Sequence, residues 1–158
     1  MRAEQSLNVH NHIRITFRPP LNPLPFFHPG IHFQKGNILA LEFKNNSLSG
    51  VVAFYAIVHF TKEQVGMAFR EVFWVLQPGG IFLFTYHVGE ETIHLDEFLV
   101  QKIELDFRFF TTDFISSCLK KSGFKKIEVI ERKPYPRVAY ESRRAYVFAI
   151  KPAGPKSS

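Results

Sequence analysis

The chain has 158 residues, 46% apolar and 15% aromatic, which suits one domain with a sizeable core. Its formal charge of +6 would draw in anionic partners, but basic residues are not interleaved with aromatics as in a nucleic-acid stacking surface, so nucleic acid is not the expected partner. No apolar run reaches the ~18 residues of a membrane span, the first residues lack a signal-peptide core, and a single cysteine, Cys118, excludes an internal disulfide or a Cys-based zinc site. The expected location is the cytoplasm.

Residues 1–30 stand apart. Pro19, Pro20, Pro23, Pro25 and Pro29 crowd together, and before them only Ile13, Ile15 and Phe17 alternate like a strand. This predicts a loosely ordered arm with at most one short edge strand. His10-Asn11-His12 has no acidic partner or further histidine at ligand spacing and reads as chance, so no metal is expected. Ile31 to Lys35 alternates as a short strand that Gly36-Asn37 ends, and Ile38 to Phe43 leads into the polar turn Lys44 to Ser49.

Two continuous apolar runs follow, Val51 to Val58 and Ile81 to His87, as expected of strands buried on both faces. Between them Thr61-Lys62-Glu63-Gln64 has capping-box spacing. Val65, Ala68, Phe69, Val72, Phe73 and Leu76 then recur on one helix face until Pro78-Gly79-Gly80. Strand, helix and strand predict a parallel crossover unit, half of a doubly wound α/β sheet.

Val88 to Asp96, with Gly89-Glu90-Glu91 and His94, reads as a loop above the carboxyl ends of the strands, where ligands bind in such sheets. Ile103, Leu105, Phe107 and Phe109 alternate as a half-buried strand or extended lid. Thr111 or Thr112 caps a helix carrying Phe114, Ile115, Cys118 and Leu119, with Cys118 read as core, and Gly123 stops it with Phe124 packing back. Lys120, Lys121, Lys125 and Lys126 around its end read as a solvated face. Lys125 to Glu131 and Ala145 to Ile150 are predicted as a closing strand pair. Their connection holds Tyr135, Arg137, Tyr140, Arg143 and Arg144; Tyr140 and Arg144 read first as surface residues, with contact to a ligand as the alternative. The tail reads as disordered by composition. The expected division is an arm over 1–30, a domain over 31–152 and a tail over 153–158.

Gly36-Asn37-Ile38-Leu39-Ala40-Leu41-Glu42-Phe43, the polar turn, the central strand to His59, the helix with Arg70-Glu71 and Trp74-Val75-Leu76, and Gln77-Pro78-Gly79-Gly80 together resemble class I S-adenosylmethionine-dependent methyltransferases over about residues 31 to 152. The resemblance implies a partial Rossmann-like, doubly wound α/β sheet, mostly parallel, with an antiparallel carboxyl-terminal strand pair. It implies S-adenosylmethionine as cofactor, a small-molecule acceptor, and an insertion covering the acceptor pocket. Asn37 takes the position of the acidic residue that accepts from the adenine amino group, the backbone of Ile38 meets the ring edge, and Phe54, Tyr55 and Ala56 lie beside the methionine part. His59, or else His87, is the candidate general base. Each has a structural reading too: Asn37 as a turn cap, Phe54 and Tyr55 as core, His59 as the anchor of the helix start.

The sequence departs from the family in one respect. None of its nine glycines forms the Gly-x-Gly that cradles the cofactor, and two strand-helix units of about 30 residues each do not fit before Ile31. The expectation is therefore a truncated methyltransferase whose competence is open. The alternative is a non-catalytic interaction protein that pairs, with itself or another chain, through the uncovered edge of the central strand.

Overall fold

The computed structural model describes residues 13–17, 32–98, 101–134, 136 and 141–154. Ile31, His10 to His12, Tyr135, Arg137, Tyr140 and most of the Pro-rich arm lie outside the described residues. Two strands, β1 (Ile13–Phe17) and β2 (His32–Gly36), pair antiparallel with each other. β3 (Leu48–Phe54) leads through helix α1 (Lys62–Val75) to β4 (Leu76–His87), and β5 (Thr92–Phe98) and β6 (Gln101–Arg108) form an antiparallel hairpin. Helix α2 (Thr112–Lys121) precedes β7 (Lys125–Arg132) and β8 (Arg144–Ile150).

The principal sheet has the order β3-β4-β8-β7. β3 and β4 are parallel, β8 runs against both β4 and β7, and so three of the four strands point the same way. This is the expected parallel crossover unit with its antiparallel closing pair. The central strand is shorter than the apolar run predicts, ending at Phe54 because Tyr55 turns into the left-handed region at φ 50. The segment predicted as a loop from Val88 to Asp96 is a strand from Thr92 onward. Thr92, Ile93, His94, Leu95 and Asp96 alternate polar with apolar, and β6 supplies the partner that this alternation needs.

Both capping predictions hold in detail. The Thr61 side chain accepts from the Gln64 amide while the Gln64 side chain accepts from that of Thr61. Thr111, rather than Thr112, caps α2 by accepting from the Phe114 amide. Gly123 ends that helix at φ 101, and a Cβ there would stand 2.8 Å from the Phe73 ring, so both conformation and space require glycine.

α1 covers one sheet face. Phe69 meets Phe82 and Phe84 with centroids 5.6 and 5.0 Å apart, and Val65, Ala68 and Val72 are buried beside it. Tyr86, Ala145, Val147 and Ala149 complete that side, with α2 burying Ile115 and Leu119 in the same core. The opposite face is open among the described residues: Val52 is 55%, Phe54 60%, Ile81 47% and Ile130 49% exposed.

The carboxyl end of α1 is fully accounted for. The Leu76 amide donates to Val72 O, Asn46 N–H to Trp74 O and Ser47 N–H to Val75 O. Lys151 Nζ donates to Phe73 O, Leu76 O and Asn46 Oδ1, each at 2.7 Å. Lys151 is buried, and desolvation lowers its pKa. Its three donors are matched by three acceptors at the negative end of a helix dipole, which is how a buried ammonium is tolerated. Lys151→Met strands the buried Leu76 carbonyl and the partly buried Phe73 carbonyl and is expected to cost about 2–4 kcal/mol in urea unfolding. A loss below about 0.5 kcal/mol, the scale of an ordinary surface substitution, would contradict this account.

Candidate functional site

Because β3 and β4 are parallel, Phe54 and His87 finish at the same rim of the sheet. At this rim Tyr55 N–H donates to Thr85 Oγ1 at 2.9 Å, which fixes the turn out of β3. Thr85 is fully buried and is the one hydroxyl-bearing aliphatic residue within the apolar run Ile81 to Tyr86. The turn lays the Tyr55 ring against His87, centroids 5.0 Å apart, and Phe109 stacks on His87 at 5.1 Å. The Arg144 guanidinium lies 5.8 Å over Tyr55, and His87 Nδ1 is 2.5 Å from Ser142 Oγ. Burial first, and then the Arg144 charge, push the His87 pKa below its usual value. Its imidazole is therefore neutral near pH 7, the state that can accept a proton.

His59 is held from the other side. Its Nδ1 lies 2.9 Å from Asp106 O, and a carbonyl can only accept, so Nδ1 carries a proton, an arrangement that in the neutral ring leaves the lone pair on Nε2. Arg108 N–H donates to Val58 O at 2.6 Å and its Nη1 to His59 O at 3.3 Å. The hairpin of β5 and β6 is thereby pinned beside the exit of β3. Asp106 also meets Arg108 at 2.6 Å and His94 at 2.8 Å, and this carboxylate contact leads the upward shift of the His94 pKa.

Of the strand-end candidates, Tyr55 stands against His87, Ala56 packs against the core, and Phe54 faces outward on the open side, while His59 is held on the hairpin by Asp106. Asn37 caps a turn, Oδ1 accepting from Leu39 N–H at 2.9 Å. A carbonyl oxygen has a second lone pair, so this bond does not exhaust it. Ile38 is buried in the core. Sequence reasoning missed Thr85, Phe109 and Ser142. A lone hydroxyl in an apolar strand was the available sign for Thr85, while nothing marks Ser142, which reaches His87 across 55 positions.

The family described as a methyltransferase domain matches residues 25–80. No curated protein sequence matches the chain. Among solved structures it is similar to a SAM-dependent methyltransferase from Methanosarcina mazei, with 16% identity and a TM-score of 0.64, covering 75% of this chain and 66% of that one. It is also similar to phosphoethanolamine N-methyltransferase 2 of Haemonchus contortus in complex with phosphomonomethylethanolamine and S-adenosylhomocysteine, with 18% identity and a TM-score of 0.55, over 74% and 36%. The [4+2]-cyclase SpnF is a further likeness, with 17% identity and a TM-score of 0.55, over 75% and 54%. The fold is thus the class I S-adenosylmethionine-dependent methyltransferase fold, present in part. The chain spans less than two thirds of each of these structures. No helix among the described residues is long and apolar enough to cross a membrane.

Replacing Arg144 by Gln removes one of the two causes holding the His87 pKa down. Its titration by NMR is expected to move up toward the usual 6.5 while staying below it, because burial remains. An unchanged midpoint would show that the guanidinium does not act on this imidazole.

Proposed function

We propose that the chain serves S-adenosylmethionine-dependent methyl transfer to a small-molecule acceptor. The observation that carries this reading is the pair of parallel strand ends, β3 and β4, meeting at a rim of Tyr55, Ala56 and His87 beside a pinned hairpin. Ligands of open α/β sheets bind at this end. In this reading Asn37 Oδ1 accepts from the adenine amino group, the Ile38 backbone lines the ring edge, and Phe54, Tyr55 and Ala56 flank the methionine part. The second lone pair of Asn37 Oδ1 supports the adenine contact, while the sequence holds no Gly-x-Gly turn for the remainder. Bound S-adenosylmethionine supplies an electrophilic methyl group, and alignment is then the protein's main contribution. His59 Nε2 is the proposed proton acceptor, its tautomer set by Asp106 O. The phosphoethanolamine methyltransferase likeness supports a small acceptor. Calorimetric titration with S-adenosylmethionine is expected to show micromolar binding, and no heat at millimolar ligand would overturn the reading.

A second reading is favoured by a different observation. Among the described residues β3 is an edge of its sheet; it contains no charge or proline and exposes Val52 and Phe54 on the open face. Natural edges usually carry such blockers, and an edge without them is a template for strand pairing. In this reading the chain pairs through β3 with a second copy or another chain and catalyses nothing. Sedimentation is expected to show association at high concentration that Val52→Lys abolishes. A monomer at all concentrations removes this second reading.

A further inference from the structure

The last rung of the open face at the carboxyl rim is cationic, unlike the rungs behind it. In register across the sheet, Phe54, Thr85, Tyr146 and Ile130 form one row, and Val52, Leu83, Phe148 and Glu128 the next. At the rim itself His87 stands opposite Arg144, and Arg144 opposite Arg132. Residues directly opposite share a sheet face, so Arg132, Arg144 and His87 lie on one face of three adjacent strands.

Like charges in directly opposite positions destabilise a strand pair. Both arginines are nonetheless half-buried rather than extended into water. Aromatic faces hold them there: Arg144 Cζ lies 5.8 Å over Tyr55, and Arg132 Cζ lies 6.0 Å over Tyr146, whose hydroxyl is 3.5 Å from Arg132 Nη2. Glu131 does not stand between them. It belongs to the other side of β7, opposite Ala145, where Arg143 and Thr112 bond it.

We infer that this row is an oxyanion-binding site in which Arg144 and Arg132 receive a phosphate or carboxylate group of the acceptor, with His87 beside it. The word acceptor rests on the methyl-transfer reading, whereas the anion site rests on the sheet register alone. Planar guanidiniums are suited to bidentate recognition of either group. The site lies beside Tyr55, so an anionic head held there leaves the rest of a small molecule near the exit of β3.

The test is an NMR titration of the full chain without cofactor, using inorganic phosphate and acetate, each against chloride at equal ionic strength. Saturable shifts of the Arg132 and Arg144 side-chain N–H signals and of the His87 ring are expected with one or both oxyanions and not with chloride. Tighter binding of phosphate assigns a phosphate head, and tighter binding of acetate a carboxylate. Arg144→Gln and Arg132→Gln are each expected to weaken binding about tenfold, and Arg143→Gln to leave it unchanged. Should either glutamine variant fail to fold, Arg→Lys at that position keeps the charge, loses the fork, and is expected to weaken binding several-fold. Equal shifts with chloride, or variants that bind phosphate and acetate as the parent does, would overturn the site. Because no cofactor is present, a failure of S-adenosylmethionine binding leaves this result standing, and loss of the anion shifts leaves the calorimetric result standing.

Discussion

The structure depends on how the carboxyl end of α1 is satisfied. A helix end leaves carbonyls without intrahelical partners, and burying them unpaired is costly. Here the backbone of Asn46 and Ser47, just before β3, takes two of them, and the Lys151 ammonium, just after β8, takes two more. One knot therefore ties the entrance of β3, the end of α1 and the end of β8. Gly79 N–H to Lys151 O and Lys151 N–H to Gly80 O extend it into the start of β4. With these ends fixed, Phe69 settles on Phe82 and Phe84, and the parallel register of β3 and β4 follows.

That register decides what stands at the opposite end of the sheet. Pairing Phe54 with Thr85 sets the Thr85 hydroxyl under the Tyr55 amide and the Tyr55 ring against His87. Pairing His87 with Arg144 and Arg144 with Arg132 builds the cationic row. A shift of one residue would turn every one of these side chains to the other face. The rim is thus a consequence of packing set at the far end of the strands.

The sheet has a helix layer on one side and an apolar surface on the other, among the described residues. Both proposed roles draw on this asymmetry. The rim lies where the parallel strands finish, and the exposed strand β3 lies where the sheet stops. The methyltransferase likenesses are all below 20% identity and one of them is a cyclase, so the fold frames the chemistry without fixing it.

By itself the sequence determined the local and periodic features: the reciprocal cap of Thr61 and Gln64, the amphipathic face of α1, the left-handed stop at Gly123, and the parallel crossover implied by two apolar runs around a capped helix. These depend on neighbours within a few positions, which a linear chain displays. Tertiary structure decided the rest. The true end of β3 depends on Thr85, thirty positions away. The strand from Thr92 depends on β6. The ammonium of Lys151 lies 78 positions from the Phe73 carbonyl that it binds. The juxtaposition of His87, Arg144 and Arg132 required the pairing of three strands. Partners brought together by long-range register leave no periodic trace in composition or spacing, so only the folded sheet could reveal them.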